Sequence, residues 1–380
     1  MHANRSVTSG SSNALARCRR SFGNFARVAL LGLVSAGCAP SYPQVVSCED
    51  SGPIHTICAM QNPEDMALAP GGEQVVISQF GSMDGSRPGN LAIFDVASEE
   101  VKIVFEGGDH AKVSPAGADW GAPDCPGPPE ASFSPHGLDL AAVQGFGDRL
   151  LVVNHGGREA VEFFALNSTP AGLELQWRGC AVAPDGAFLN DVVNLSDGGF
   201  LVTQMMPRDD ASWNLLKAAL GFDTGWVYRW SRQQGFSIAP GSEAPFPNGL
   251  ELSPDERFLF LNVYSPGELR KIDLASGEVV ASISIPAPDN VTWAMDGKLL
   301  VASHQGGLMD QLDCMDVETG ACGMAFSIVS IDPETLEAEE LFTQAGAPMG
   351  AGTVILDLGT GEYLVGSFAA DRMLRLPLAR

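Results

Sequence analysis

The sequence predicts an all-β chain closed into a six-bladed β-propeller, and three observations carry the fold. The first is the stretch 247–262. Leu250 and Leu252 alternate with polar residues, Ser253-Pro254-Asp255 supplies turn chemistry, and Phe258 opens a short apolar run. The second is recurrence: a lone hairpin buries too little to stand by itself, yet related pairs of segments occur at 64–68/75–78, 136–140/150–155, 190–195/200–203, 289–293/299–303 and 352–356/363–367. The third is spacing. First positions at 64, 136, 190, 248, 289 and 352 are separated by 72, 54, 58, 41 and 63 residues, which suits one four-stranded unit per copy.

Equivalent positions of a repeat face the same way, so the first residues of the copies form a ring about the channel. That ring reads Glu64, His136, Asn190, Asn248, Asp289 and Gly352, and the second positions read Asp65, Gly137, Asp191, Gly249, Asn290 and Thr353. Carboxylate and carboxamide oxygens converging from several blades match the ligand preference of a hard cation such as calcium. Turn propensity places Asn, Asp and Gly at strand starts one copy at a time; it does not account for five copies in register.

With 380 residues, 45% of them hydrophobic, the chain is long enough for one large core. A formal net charge of −24 argues against nucleic acid and against an anionic membrane surface as partners. The N-terminus is polar and basic (Arg17, Arg19, Arg20, Arg27), then apolar over 28–34, then Ser35-Ala36-Gly37-Cys38. That run is too short to span a bilayer, and residues 1–37 have the layout of a secretory signal. Small residues before Cys38 resemble a bacterial lipobox. The expectation is therefore an exported lipoprotein of the outer membrane, periplasm or cell surface, touching membrane only through a lipid on Cys38. Residues 38–55 read as a tether and 56–380 as the propeller. Six further cysteines, Cys48, Cys58, Cys125, Cys180, Cys314 and Cys322, permit three disulfides, with Cys314 and Cys322 a local pair. Their spacing is not that of a zinc site.

Insertions at 107–129 and 207–225 lie between blade strands. The second contains an apolar helical stretch from Trp213 to Leu220 that either roofs the site or packs on a blade edge. The last strand, near 372–378, needs a partner from the N-terminal side to close the ring. Among the histidines, His136 stands in the ring, His155 and His304 end apolar strands at matching positions, and His110 falls in a loop. A ring histidine with a second nearby suits general-base activation of water, beside a cation that polarises a carbonyl. No GxSxG elbow is present.

The order of Glu64-Asp65-Met66, Pro135-His136-Gly137-Leu138, Val152-Val153-Asn154-His155, Asn190-Asp191-Val192-Val193, the nine residues from Pro247 to Asp255, and Asp289-Asn290-Val291 resembles the paraoxonase/arylesterase family of calcium-dependent lactonases. That family lies within the wider senescence-marker-protein/gluconolactonase superfamily. The resemblance implies two calcium ions. Glu64, Asn190, Asn248, Asp289 and Asn290 would hold the catalytic one; Asp65, Asp191 and the Leu138 carbonyl would hold a structural one. It also implies that His136 is the general base and that His155 orients it. The expected substrate is a small lactone or ester and the expected state a monomer. The alternatives are a sugar lactonase and a non-catalytic, calcium-stabilised ligand-binding propeller. Two departures stand out: Thr203-Gln204-Met205 replaces an Asn-Asp pair, and Leu376 stands where the family has a ring-closing cysteine.

Overall fold

The computed structural model describes residues 42–108, 119–170, 172–306, 308–315, 317 and 319–378. The signal segment, Cys38 and His110 lie outside the described residues. Six four-stranded antiparallel sheets form the six blades. Blade 1 comprises Pro63–Leu68, Gln74–Gln79, Asn90–Asp95 and Val101–Phe105; blade 2 comprises Pro135–Val143, Gly147–Asn154, Ala160–Thr169 and Gly172–Val182. Blade 3 holds Leu189–Asn194, Phe200–Gln204, Trp226–Ser231 and Gly235–Ile238, and blade 4 holds Pro247–Leu252, Phe258–Val263, Glu268–Asp273 and Glu278–Ser284. Blade 5 holds Pro288–Trp293, Leu299–His304, Phe326–Ile331 and Ala338–Gln344. Blade 6 takes Gly352–Asp357, Glu362–Ser367 and Arg372–Pro377 from the C-terminus and His55–Cys58 from the N-terminal side.

That last pairing closes the ring. His55 faces Arg375 and Cys58 faces Arg372 across an antiparallel ladder, so hydrogen bonds and packing join the two ends, and Leu376 is buried in the same sheet. The described part of the expected tether is held close: Gln44–Val45 pairs with Ala321–Cys322, and Arg372 donates to the carbonyls of Val45, Val46 and Ser47. Disulfides join Cys48 to Cys58, Cys125 to Cys180 and Cys314 to Cys322.

Each blade contact has its own apolar core. Val76, Leu91 and Ile93 of blade 1 meet Leu138, Leu150 and Phe164 of blade 2, for example, and comparable clusters fill the five remaining contacts. A strand in the middle of a blade is buried on both faces. The second strands are therefore continuous apolar runs, such as Leu150-Leu151-Val152-Val153, rather than alternating ones. The first strands touch one another around the ring and line the channel.

All six first strands share a feature that the sequence does not announce. Their pairing register skips between Pro63/Asp65, Pro135/Leu138, Leu189/Val192, Pro247/Leu250, Pro288/Val291 and Gly352/Val354. Such a bulge releases residues from the ladder and re-aims their side chains. The residues released are the ring residues.

Candidate active site and metal centre

The bulge register corrects the ring by one residue in blade 6. Gly352 pairs with Ser367 as Pro63 pairs with Gln79, so Thr353, not Gly352, is the counterpart of Glu64. Thr353 lines the axial pocket together with Glu64, His136, Asn190, Asn248 and Asp289, and its hydroxyl donates to the Glu64 carbonyl at 2.7 Å. The structure thus brings five of the six predicted first-position residues together, with Thr353 in place of Gly352.

The second positions act between blades. Asp65 accepts from the Leu138 amide of blade 2 at 2.7 Å, and Asp191 accepts from the Leu250 amide of blade 4 at 2.9 Å. Their other oxygens accept from Met66 and Val192. Gly137 and Gly249 alternate with these acids for a steric reason. A Cβ at Gly137 would lie 2.6 Å from the Asn190 carbonyl oxygen, and one at Gly249 would lie 2.4 Å from that of Asp289.

The donor set fits a buried divalent cation. Glu64, Asp65, Asp191 and Asp289 are buried, and two axial oxygens, Glu64 Oε2 and Asn248 Oδ1, have no hydrogen-bond partner among the described residues. Burial, reinforced by Asp65, Asp289 and Asp191, pushes Glu64 well above the usual carboxylate range. Burial likewise lifts Asp65 to about 7 and Asp289 to about 8, and burial followed by Asp65 raises Asp191 strongly. Four such acids cannot all ionise without a counter-charge. Among the described residues, no group of three or more His, Cys, Asp and Glu makes a metal site by itself. The axial set instead joins two carboxylates, Glu64 and Asp289, to the carboxamides of Asn190, Asn248 and Asn290. That all-oxygen mixture suits calcium rather than a transition metal. Asn290 donates its amide to Glu64 Oε1 at 3.1 Å, leaving its carbonyl oxygen as an acceptor.

The two histidines meet. His136 Nδ1 lies 2.9 Å from His155 Nε2, and His155 Nδ1 lies 3.0 Å from Glu159 Oε1. Glu159 also accepts from the Leu189 amide and from Arg208. The carboxylate anchors the chain: His155 Nδ1–H donates to Glu159, so His155 Nε2 accepts from His136 Nδ1–H. His136 Nε2 is then a lone pair facing the axis, 3.6 Å from Glu64 Oε1. Burial first, and His155 second, hold His136 well below the ordinary imidazole range, so its neutral form is favoured. Phe80 packs against its ring.

Sequence reasoning missed Glu159 and Arg208. The only available signal for Glu159 was its position four residues after His155, in a connection rather than a helix. A further tier, at the ends of the second strands, was matched in the sequence only at His155 and His304: Phe80, His155, Met205, Tyr264 and Phe368 directly follow their strands, and His304 is the last residue of its own. Met205 and Phe368 close over the axial pocket together with Met83, Phe246, Gln311 and Met315. Gln311 and Met315 come from a helix, Leu308–Met315, that the sequence reading did not anticipate. The helix expected in the second insertion spans Ala211–Ala219 and roofs this end, its Ala218 packing with Met205, Phe246 and Tyr264.

The arylesterase family model matches residues 61–371, and the chain belongs to that family. Membership supports a hydrolase of the lactonase or esterase type. A gluconolactonase from Xanthomonas campestris is 17% identical with a TM-score of 0.52, covering 90% of this chain and 99% of that one. A luciferin-regenerating enzyme is 12% identical with a TM-score of 0.51, covering 85% and 94%. At these identities the likeness is one of fold. No curated protein matches the chain. Three disulfides fit an extracellular or periplasmic protein. No helix among the described residues is long and apolar enough to cross a membrane.

Proposed function

We propose that the chain is a calcium-dependent hydrolase that opens lactones and cleaves carboxylic or aryl esters with a water activated by His136. The observation that carries this reading is the Glu159–His155–His136 relay ending on an oxygen-lined axial pocket. Glu64, Asn190, Asn248, Asp289 and Asn290 would hold the calcium ion of the reaction, and Asp65, Asp191 and the Leu138 carbonyl a second, structural one. When bound, the first ion supplies Lewis acidity to the substrate carbonyl and stabilises the negative charge developing on its oxygen.

His136 Nε2 takes a proton from water as the water oxygen attacks the carbonyl carbon. His155 and Glu159 stabilise the imidazolium across the relay, and Glu64 does so from the axis. His136 then returns the proton to the departing alkoxide, which for a lactone remains attached to the acid. Met83, Met205, Phe246 and Phe368 limit bulk water around the reacting centre. The protein acts on small molecules, as a monomer anchored by lipid on Cys38.

A panel of lactones and aryl esters, assayed with purified protein of measured calcium content, tests this. Turnover that a strong chelator abolishes and calcium restores supports the proposal. A calcium-free protein, or turnover unaffected by chelation, overturns it.

A further inference from the structure

The axial pocket has a volume of about 50 Å³, room for a few waters. A cavity of about 560 Å³ lies to its side, at blades 4 and 5. Ala219, Tyr264, Ser265, Ala287, His304 and Asp310 are among the residues lining it. The wall between the two spaces is His304, whose Nε2 lies 3.5 Å from Asp289 Oδ2 of the axial ring.

The hydrogen bonds of that wall are redundant on one side. The Tyr264 hydroxyl lies 3.1 Å from His304 Nδ1, and Gln311 Nε2 lies 3.3 Å from the same atom. Both are donors there, so Nδ1 is the acceptor and the ring proton sits on Nε2, toward Asp289. One donor satisfies Nδ1. Either can turn to a ligand without leaving the buried ring unpartnered. Tyr264 lines the lateral cavity and Gln311 the axial pocket, so Tyr264 is the donor free to serve the lateral side.

Charge narrows what could be served. Among the described residues, no lysine or arginine lines either space, while Asp310 lines the lateral one and Glu64 and Asp289 the axial one. An anionic substituent would be desolvated with no counter-charge. A hydroxyl or amide would meet donors and acceptors.

We propose that the lateral cavity is a second subsite of the active centre, receiving a neutral, hydroxyl- or amide-bearing portion of the lactone or ester, with the Tyr264 hydroxyl as its hydrogen-bonding group and Gln311 keeping His304 Nδ1 satisfied when Tyr264 turns to the ligand. This rests on the hydrolase reading above. It makes hydroxylated lactones better substrates than bare or anionic ones.

The test compares δ-valerolactone with glucono-δ-lactone in wild type, Tyr264→Phe and Ala219→Trp. Ala219 is exposed at a helix end, so filling the cavity from there spares the core. Tyr264→Phe should lower kcat/KM for the hydroxylated lactone by about 2- to 12-fold, the range of one neutral hydrogen bond. Ala219→Trp should lower it further, and δ-valerolactone should change less than twofold in both. Equal losses on the two lactones, or none, overturn the subsite. Calorimetry with the corresponding lactams, which need no turnover, separates the two readings. Tighter binding of the hydroxylated lactam that Ala219→Trp abolishes supports the subsite even if no lactone is hydrolysed. Equal binding of both lactams by wild type and variant overturns it whatever the hydrolytic result.

Discussion

The Met205 sulfur lies 3.4 Å from Asn190 Nδ2 and accepts a hydrogen bond from that amide. The sequence reading treated Met205 as the loss of a carboxylate. The structure gives it a different part: with the amide nitrogen engaged, the carboxamide of this ring residue is held in one orientation. Met205→Leu keeps bulk and removes the acceptor. Because sulfur is a weak acceptor, calcium affinity should fall only about threefold. Isothermal titration with calcium checks this; an unchanged Kd would show that the sulfur holds nothing of consequence.

Calcium removal should interact with pH in a defined direction. In the metal-free fold Asp65 titrates near 7 and Asp289 near 8, against ordinary values of 3.8. Between about pH 4 and pH 8 the folded state then holds more protons than the unfolded state, so its stability falls as pH rises. On the proposed reading, bound calcium would take over the role of those protons. The gap in Tm between calcium-loaded and chelated protein should widen from pH 5 to pH 8 in scanning calorimetry. A gap that narrows over that range contradicts the shared burial of these acids.

Asp65 and Asp191 join blades through hydrogen bonds that exist without metal. Asp65→Ala should strand the Leu138 and Met66 amides, and Asp191→Ala those of Leu250 and Val192. Each amide left buried without a partner costs about 1–3 kcal/mol. Both variants should melt below wild type in calcium and again in chelator. A loss confined to calcium-loaded protein would assign these residues to metal alone.

Lipidation at Cys38 is tested in cells. Cys38→Ser should move the protein from the membrane fraction to the soluble fraction and abolish lipid labelling. Labelling that persists in the variant would place the anchor elsewhere.

The propeller was legible because its signal is repeated: six copies of a strand–turn–strand pattern outweigh the ambiguity of any one. The ring was legible where a charged or amide residue marked the position, as at Glu64, Asn190, Asn248 and Asp289. It slipped by one in blade 6, where Gly352 and Thr353 carry no such mark and only the bulge register decides. The partners of the site were harder to see. Glu159 reaches His155 from a connection, and Arg208 reaches Glu159 from an insertion in another blade. Gln311 reaches His304 from the helix Leu308–Met315, which no sequence pattern announced. Tertiary placement, which a local pattern does not encode, makes these contacts. Closure of the ring followed from counting strands: the sixth blade lacked one, and His55–Cys58 supplied it.

The central claim is that His136 moves the proton while the oxygen ring holds the ion. Lactone turnover by calcium-loaded His136→Gln, measured beside wild type with calcium content and Tm recorded for both, tests it most directly. On the proposed reading His136 Nε2 is the base and the oxygen donors carry the metal. The variant should therefore keep its calcium and its Tm but lose about 10²–10⁴-fold in turnover. Turnover near the wild-type rate in the calcium-loaded variant would contradict the account and leave the ion as the whole of the catalytic apparatus.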